Sequence, residues 1–488
     1  MASKLERAGL CRTGSKGLDD ILGGGLPRHR LYLVEGDPGV GKTTLGLQFL
    51  LEGVKNKETC LYITLSETKD ELEMVAKSHG WSLEGLHLFE FSAIEEQMKL
   101  HQGSTFFHPS EVELNQTTQT FLQEVERLNP DRVVFDSLSE MRLLSETMLR
   151  HRRQILNLKQ FFSSRKCTVI MLDDRAHEGS DLHVQSLAHG VIFLEKLSPE
   201  YGVARRRINV QKIRGQAFRE GYHDYVIHKG SMEFFPRLIA GEHHPKFSNS
   251  VLSSGIPELD SLLGGGLDRG TCTVIMGPAG TGKSTISLQF AMSAVKMGEK
   301  AAVLMFDEGM GTLLARAKGI GMELETAIQS GRLFLQQIDP AELSPGEFVH
   351  SIRRKVEEED FRFIVIDSMN GYMNAMPAEN FLQLHLHELY AYLNQSGVVT
   401  ITVLAQSGLI GNMRTEVDLS YLADNVLLLR YFEAHGSVKQ AISMIKKRSG
   451  NHERQIREFE ITSKGLRVGR PLTEFQGIMT GTPNCPAK

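Results

Sequence analysis

The sequence contains the phosphate-binding pattern G-x-x-x-x-G-K-[ST] twice, and the two copies lie 241 residues apart. The first copy spans residues 36–43 and the second spans residues 277–284. In this pattern a glycine-rich loop follows a strand and opens a helix, so that backbone N–H groups and the helix N-terminus surround a phosphate. Two copies therefore predict two nucleotide-binding sites, each on its own α/β unit.

The similarity between the two halves extends beyond these loops. Residues 13–26 recur as residues 254–267, again with an offset of 241. A period this long is typical of two whole domains rather than of a solenoid repeat. We therefore expect an N-terminal domain over residues 1–241 and a C-terminal domain over residues 242–488, with a linker near residues 236–249.

Composition narrows the class of protein. The five cysteines show no C-x-x-C spacing, which argues against a zinc site or a disulfide framework and fits a reducing compartment. The sequence shows no signal peptide, and no apolar run reaches the ~20 residues of a membrane span. The net charge of −4 does not favour a protein that binds a phosphate backbone. We expect a cytoplasmic protein without a membrane or nucleic-acid partner.

Short apolar runs bounded by polar residues predict buried parallel strands in both halves. Each P-loop lies between such a run and a helical pattern, and further runs alternate with helical segments. The predicted fold class is therefore α/β, with two tandem P-loop domains that each contain a mostly parallel, doubly wound sheet. The other predicted strands lie at residues 61–65, 133–135, 169–172 and 191–194, and at 302–306, 363–366, 399–404 and 426–429.

The residues of each P-loop have distinct expected roles. Lys42 and Lys283 are expected to reach the β- and γ-phosphates of a bound nucleoside triphosphate. Thr43 and Ser284 are expected to hold Mg²⁺ through their hydroxyls. The remaining predicted nucleotide-binding residues of the two loops are Gly39, Val40, Gly41, Thr44, Gly280, Thr281, Gly282 and Thr285.

Each half also contains an apolar run that ends in aspartate, at Asp136 and at Asp367. A carboxylate at the end of a strand beside the P-loop is the expected second partner of the metal ion. The alternative is an aspartate that caps a helix at a strand exit. Because both aspartates occur in the same order after their P-loops, we predict that they are metal ligands.

Acidic residues follow the strand after each P-loop helix, at Glu67 and at Asp307 and Glu308. A carboxylate there can orient or deprotonate an attacking water or hydroxyl. The alternative is a solvated strand end. These three residues are the candidate catalytic acids and bases, and they would act together with Lys42 and Lys283.

Basic residues close each half, at Lys212 and Arg214 and at Lys446 and Arg448. A basic segment so late in such a unit can reach the γ-phosphate bound to a neighbouring subunit, as an arginine finger does. The alternative is a solvated charged face, which is the commoner fate of a charge run. Their spacing leaves both interpretations open.

The sequence resembles the KaiC-type ATPases, which comprise circadian-clock autokinases and their non-clock relatives. The most specific stretch is residues 424–433, followed by residues 441–442 and 456–459, and the similarity covers nearly the whole chain. The resemblance implies two RecA-like domains and a homo-hexamer that forms a double ring with ATP at the subunit interfaces. It also implies slow ATP hydrolysis by the first domain and serine/threonine autophosphorylation of an adjacent subunit by the second.

The resemblance also assigns roles to particular residues. The family has two adjacent glutamates, of which the first acts as the base, but Ser66 and Asp307 replace that first glutamate here. Hydrolysis by the first domain is therefore expected to depend on Glu67, while Asp307 keeps a carboxylate on a shorter arm. The residues that match positions contacting ATP across the interface are Lys212, Arg214, Lys446 and Arg448.

The phosphorylation sites of the family match only in part. The adjacent Ser-Thr pair of the family falls on Ser420 and Tyr421, and a nearby threonine falls on Thr415. The hydroxyl of Tyr421 lies farther from the backbone than that of threonine, so the expected phosphosite is Ser420. The alternative is that this segment only packs against the subunit interface.

The family implies a KaiB-like protein or a two-component signalling protein as a partner. Clock members carry a further loop and tail where only five residues follow Pro483, so a three-protein oscillator is not expected. Two other functions stay open. One is a RecA- or DnaB-like DNA-dependent ATPase, although residues 101–119 and 406–414 are not basic. The other is an ATP-gated scaffold with negligible turnover, which Ser66 and Tyr421 favour.

Overall fold

The architecture comes from a computed structural model that divides into two compact units, Met1–Arg237 and Leu238–Lys488. Leu238 and Ala240, in the stretch expected to link the domains, are buried in the core of the second unit. The residues that the structure describes are 9–91, 109–145, 147–175, 182–243, 247–374, 382–408 and 420–480.

The described part of the first unit contains eleven strands and seven helices. The strands are β1 (Leu10–Cys11), β2 (Leu26–Pro27), β3 (Leu31–Gly36), β4 (Cys60–Thr64), β5 (Leu86–Glu90), β6 (Arg132–Asp136), β7 (Thr168–Asp174), β8 (Gly190–Leu197), β9 (Arg205–Ile213), β10 (Tyr222–His228) and β11 (Ser231–Phe235). The helices are Lys16–Ile21, Lys42–Lys55, Lys69–Ser78, Pro109–Leu128, Leu138–Leu144, Met148–Ser164 and Leu182–Leu187.

The second unit repeats this arrangement. Its strands are β12 (Val251–Leu252), β13 (Leu267–Asp268), β14 (Cys272–Gly277), β15 (Lys300–Met305), β16 (Leu333–Gln337), β17 (Phe361–Asp367), β18 (Val399–Ala405), β19 (Asn425–Ala434), β20 (Ser437–Lys447), β21 (Arg457–Thr462) and β22 (Gly465–Pro471). Its α-helices are Pro257–Leu262, Lys283–Lys296, Met310–Gly319, Glu325–Gln329, Pro345–Glu357, Met369–Asn374 and Leu382–Gln395, and short 3₁₀ turns occur at Ala240–Glu242 and Ile478–Thr480.

Each unit is built around a nine-stranded sheet with the same topology. The strand order is β11-β10-β9-β8-β3-β7-β6-β4-β5 in the first unit and β16-β15-β17-β18-β14-β19-β20-β21-β22 in the second. The six strands from β8 to β5 are parallel, and β9, β10 and β11 extend the sheet with antiparallel pairs. The P-loop strands β3 and β14 lie inside the parallel part of their sheets.

The pattern of burial explains why β3 is a central strand. All six of its residues are buried, and its side chains alternate between the two faces of the sheet. Leu31 and Leu33 pack into one hydrophobic cluster, and Tyr32 and Val34 pack into another. A strand that is covered by helices on both faces reads as a continuous apolar run, which is the pattern seen in the sequence.

The predicted fold class is confirmed: both units are RecA-like α/β domains, and each predicted strand coincides with an observed one. The sequence pattern missed the edge strands β5 and β16 and the antiparallel strands β9, β10, β11, β20, β21 and β22. These strands contain both polar and apolar residues, so they do not form continuous apolar runs in the sequence. In β9, for example, Ile208 and Val210 are buried, while Asn209 between them and the three arginines before them are polar and only partly covered.

None of the helices in the described ranges has the length and apolar composition required to cross a membrane.

Candidate nucleotide-binding sites

Both P-loops connect a central strand to a long helix. The first leads from β3 into the helix Lys42–Lys55, and the second leads from β14 into the helix Lys283–Lys296. The residue before each helix, Gly41 or Gly282, has a φ angle of 99° or 94°, which residues with a side chain rarely adopt. A Cβ atom on Gly41 would also lie only 2.7 Å from Cδ1 of Ile227. A side chain at this position would therefore disturb the loop.

The predicted nucleotide-binding residues lie together on these two turns. The hydroxyl of Tyr225 donates to the carbonyl of Val40 at 2.7 Å, and Oγ1 of Thr281 donates to the carbonyl of Pro278 at 2.8 Å. Both loops therefore have the strand–loop–helix geometry that phosphate binding requires. The residues on the turns are Gly39, Val40, Gly41, Lys42, Thr43 and Thr44 in the first unit and Gly280, Thr281, Gly282, Lys283, Ser284 and Thr285 in the second.

In the first site, Asp136 lies next to the P-loop hydroxyl. Oγ1 of Thr43 donates to Oδ2 of Asp136 at 3.1 Å, and the hydroxyl of Tyr62 donates to the same oxygen at 2.6 Å. Burial raises the pKa of Asp136, and the hydrogen bonds from these two hydroxyls oppose that shift. A buried carboxylate beside a hydroxyl is the kind of oxygen donor set that suits Mg²⁺, so these residues fit the metal.

The second site repeats this pair with Ser284 and Asp367. The Ser284 side chain forms a hydrogen bond with the carboxylate. Burial and the nearby charge of Glu308 raise the pKa of Asp367, whereas the Ser284 hydrogen bond lowers it. The donor set at the carboxyl end of β17 therefore matches the one at the end of β6.

The two P-loop lysines have different surroundings. Nζ of Lys42 donates to the carbonyl of Gly36 at 2.7 Å and forms an ion pair with Oδ1 of Asp174 at 2.7 Å. Nζ of Lys283 donates to the carbonyl of Pro278 at 2.6 Å, and the described residues offer it no ion pair. Burial lowers the pKa of Lys283 to about 8. A bound triphosphate would supply the negative charge that Lys283 lacks.

Strand register explains the difference between the lysines. The last residue of β7, Asp174, lies opposite Gly36. The corresponding residue of β18, opposite Gly277, is Ala405. In the first site the carboxylate of Asp174 therefore pairs with Lys42, whereas the equivalent residue of the second site, Ala405, has only a methyl group.

Asp174→Ala should increase the apparent affinity of the first site for ATP by about two- to fivefold, since a partly exposed ion pair is worth at most ~1 kcal/mol. The substitution frees Lys42 from an intramolecular carboxylate that competes with phosphate. Titration of ATP into the Lys283→Ala background measures the first site alone. A loss of affinity would mean that Asp174 assists binding instead.

Glu67 lies close to the first site and has an unusual environment. Its backbone is fixed by Thr64, whose Oγ1 accepts from the Glu67 amide at 2.9 Å and donates to its carbonyl at 2.7 Å. Its Oε2 is buried and has no hydrogen-bond partner among the described residues. Burial, followed by the charges of Asp136 and Glu71, raises the pKa of Glu67 to about 7. A general base works best with a pKa near the working pH.

The acidic pair of the second site is arranged differently. Glu308 accepts two hydrogen bonds from Arg316, at 3.0 Å from Nε and at 2.7 Å from Nη2. Asp307 is exposed and accepts a hydrogen bond from Oγ of Ser368. The two glutamates occupy equivalent positions, yet Glu308 is ion-paired and Glu67 retains an unpaired oxygen.

The structure does not place the basic residues at the P-loop of their own domain. Lys212 and Arg214 lie beside the amino end of β8, where they donate to the carbonyls of Gln185 at 2.6 Å and Ser186 at 2.8 Å. The amino end of β8 pairs with Tyr32, four residues before the end of β3, which corresponds to ~13 Å along the strand. These side chains therefore lie at the amino-terminal ends of the parallel strands, whereas the phosphate-binding loop lies at their carboxyl ends. This amino-terminal side is the edge of the sheet opposite to the P-loop.

The same holds for the second domain, where the predicted phosphosite lies at that opposite edge. Nζ of Lys446 donates to the carbonyl of Ser420 at 2.9 Å, and Nη2 of Arg448 donates to the carbonyl of Tyr421 at 3.0 Å. Thr415 lies outside the described residues, as do residues 101–108 and 409–414 of the two segments considered for DNA binding.

The sequence analysis missed three residues that contact the sites: Tyr62, Asp174 and Arg316. Asp174 follows the apolar run 169–172 after one further aspartate, Asp173, so a search for aspartates after apolar runs could have revealed it. Tyr62 belongs to a predicted strand, and nothing in its spacing marks it. Arg316 lies eight residues after its partner Glu308 on the following helix, and no motif links the two.

Comparison with known proteins agrees with this geometry. The family model described as the KaiC ATPase matches residues 11–238 and, a second time, residues 252–473. The circadian clock protein KaiC3 of Synechocystis is 25% identical over 482 residues, covering 96% of this chain and 94% of its own length. The circadian clock oscillator proteins KaiC of Thermostichus vulcanus and of Acaryochloris marina are each 26% identical, covering 96% of this chain and 90% of their own lengths. The chain therefore belongs to the KaiC family of ATPases.

Proposed function

We propose that this protein binds Mg²⁺-ATP at both P-loops and hydrolyses it slowly. The observation that carries the proposal is the repeated combination of a P-loop lysine with a hydroxyl–aspartate pair, Thr43 with Asp136 and Ser284 with Asp367. Lys42 would neutralise charge on the β- and γ-phosphates. Mg²⁺ bound at the hydroxyl–aspartate pair would neutralise the remaining phosphate charge.

The proposed first-site reaction uses Glu67 as the base. A water oxygen attacks the γ-phosphorus, the bond from that phosphorus to the β–γ bridging oxygen breaks, and ADP leaves. The water proton passes to Glu67, whose raised pKa suits a proton acceptor near neutral pH. Ser66 has no basic group, so the first site has one candidate base where the second has Asp307 and Glu308.

The positions of the basic residues support a ring. Lys212 and Arg214 lie at the edge of their sheet opposite to the P-loop, and Lys446 and Arg448 do the same in the second domain. We propose that these four basic side chains contact the ATP that is bound to the P-loop of a neighbouring subunit. Repetition of such a head-to-tail contact generates a closed ring, and we propose a homo-hexamer with one ring from residues 1–241 and another from residues 242–488.

We also propose that the second ring is a serine/threonine autokinase. Ser420 lies with Lys446 at the edge opposite to the P-loop of its own domain, so the transfer takes place between subunits. The Ser420 hydroxyl oxygen attacks the γ-phosphorus of the neighbour's ATP, ADP leaves, and Asp307 accepts the hydroxyl proton. The resulting charge on Ser420 is a signal that a partner could read.

The proposed readers are a small KaiB-like protein or a two-component signalling protein. We place the protein in the cytoplasm, because the described cysteines Cys11, Cys60, Cys167 and Cys272 are free and buried and a reducing compartment preserves free thiols.

The ATPase proposal predicts that Lys42→Ala combined with Lys283→Ala eliminates phosphate release from Mg²⁺-ATP. Each single variant should keep the activity of the other site. Phosphate release by the purified protein is the measurement. Equal release from the natural chain and from the double variant would refute the enzyme function and favour a nucleotide-gated scaffold. Stimulation by single-stranded DNA that falls steeply with salt would instead favour a DNA-dependent ATPase.

The autokinase proposal predicts phosphate on Ser420 after incubation with Mg²⁺-ATP. Trypsin releases residues 415–430 as one peptide that contains Thr415, Ser420 and Tyr421. Phosphate on Ser420 should be present in Lys42→Ala and lost in Lys283→Ala, since only the second P-loop would supply it. An unmodified peptide from a protein that still hydrolyses ATP would show a ring without kinase output.

A further inference from the structure

The two nucleotide sites differ in how their equivalent glutamates, Glu67 and Glu308, are held. Positions 67 and 308 are equivalent in the repeat, and the residue eight positions later is Val75 in the first domain and Arg316 in the second. Val75 packs against a hydrophobic cluster. Arg316 reaches out of the helix Met310–Gly319 to Glu308. The second domain therefore has a positive charge beside its glutamate, at a position where the first domain has an apolar side chain.

Arg316 makes three hydrogen bonds in the second site. Two go to the two oxygens of Glu308, at 3.0 and 2.7 Å, and the third runs from Nη1 to Oγ1 of Thr285 at 2.9 Å. Thr285 directly follows Ser284 on the P-loop helix. A bidentate arginine–carboxylate pair fixes the orientation of both partners, and the third bond ties that pair to the helix that carries the hydroxyl expected to hold the metal.

This arrangement limits what Glu308 can do. A general base must turn a lone pair towards the proton that it accepts, and Glu308 cannot turn its carboxylate without breaking its two bonds to Arg316. Glu67 has no such partner, and its Oε2 is free of hydrogen bonds among the described residues. Arg316 holds both oxygens of Glu308, and the charge of Glu308 also acts on Asp367.

We propose that Arg316 is a positioning residue of the second site, which keeps Glu308 in an ion pair and leaves Asp307 as the acidic group that acts at the γ-phosphate. This inference rests on the proposed ATPase function. Its consequence is a second site in which water is activated poorly and ATP persists until a hydroxyl group attacks it. The first site, with Val75 and a free Glu67 oxygen, is the site that favours hydrolysis.

The test measures second-site hydrolysis in a Lys42→Ala background. Arg316→Met, which keeps an unbranched apolar side chain and removes the charge, should raise phosphate release about tenfold, below the ~10²–10⁴-fold that a general base typically supplies. Arg316→Lys keeps the positive charge but cannot hold both carboxylate oxygens, so its rate should lie between those of the parent and of Arg316→Met. Retention of a fluorescent ATP analogue by each variant checks that the site is folded.

A double variant separates this role from a purely structural one. Adding Glu308→Gln to Arg316→Met should bring the rate back towards the parent, because the gain depends on the Glu308 carboxylate that the loss of Arg316 sets free. A decrease or no change in Arg316→Met, or a gain that survives Glu308→Gln, would overturn the inference.

The outcomes distinguish the inference from the proposed function. If Lys42→Ala and Lys283→Ala each release no more phosphate than the double variant, the ATPase proposal fails. If both retain activity and Arg316→Met leaves the second site unchanged, the ATPase proposal stands and the role of Arg316 is refuted.

Discussion

Glu67→Gln should reduce ATP hydrolysis at the first site by ~10²-fold or more, which is the usual contribution of a general base. The glutamine amide keeps the shape of the side chain but accepts no proton. Ser66 offers no substitute, and Asp136 is expected to be engaged with the metal. The measurement is phosphate release in a Lys283→Ala background, where the first site alone can turn over.

The pH dependence provides a second readout of the same residue. Glu67 has a pKa raised to about 7 by burial and by neighbouring carboxylates, and the base must be ionised to act. First-site hydrolysis should therefore be low at pH 6, rise through pH 7 and level off above pH 8. This rising limb should be absent in Glu67→Gln.

Ser66→Ala is the matched control, because Ser66 is the exposed neighbour of Glu67 and carries no proposed role. It should retain the rate and the pH profile of the parent. Equal losses in Ser66→Ala and Glu67→Gln would point to a disturbed loop. A flat pH profile in the parent would show that proton transfer to Glu67 does not govern the rate.

The second large effect concerns stability. Arg132→Met should lower the unfolding free energy of the first domain by about 3 kcal/mol, because breaking a buried ion pair and leaving buried acceptors unsatisfied are both costly. The Arg132 side chain is 1% exposed. Its Nε donates to Glu58, and its Nη1 donates to the carbonyls of Arg12 at 2.7 Å and Phe49 at 2.9 Å. Methionine can replace none of these bonds.

A thermal melt of the full chain checks this prediction, and the transition of the first domain should shift down by roughly 5–10 °C. Arg127→Met is the matched control, since Arg127 is an exposed arginine that pairs with Glu124 on the same helix. That variant should melt with the parent. An Arg132→Met melt within 1–2 °C of the parent, about the shift expected for a fraction of a kcal/mol, would show that the buried network contributes little.

The prediction of the fold from sequence succeeded where the physical pattern was simple. The runs that became β4, β6 and β7 are mostly apolar and almost completely buried, because parallel strands are covered on both faces. The edge strand β5 was missed because it is only partly buried and mixes polar with apolar residues. The antiparallel strand β9 was missed because arginines fill its first three positions.

For the candidate sites too, the sequence indicated the residues that belong to a local motif and missed their partners in space. The phosphate-binding motif located both P-loops, and apolar runs that end in aspartate indicated Asp136 and Asp367. The repeat offset indicated Glu67 and Glu308 after the next strand. It gave no indication that Asp174 would pair with Lys42 or that Arg316 would pair with Glu308. Lys42 and Asp174 are 132 residues apart in the sequence. Arg316 and Glu308 are only eight residues apart, but no motif links them.

By itself, the sequence determined that this chain has two P-loop domains and which residue types surround each phosphate-binding loop. It could do so because the loop, its flanking strand and its helix are contiguous in the chain. Only the tertiary structure decided how the sites differ. Sheet order places β7 beside β3 and so puts Asp174 on Lys42. The helix after β15 brings Arg316 to Glu308, whereas burial and the charges of Asp136 and Glu71 raise the pKa of Glu67. Charge and burial depend on distances in space, and neighbours in space are set by how the strands and helices pack.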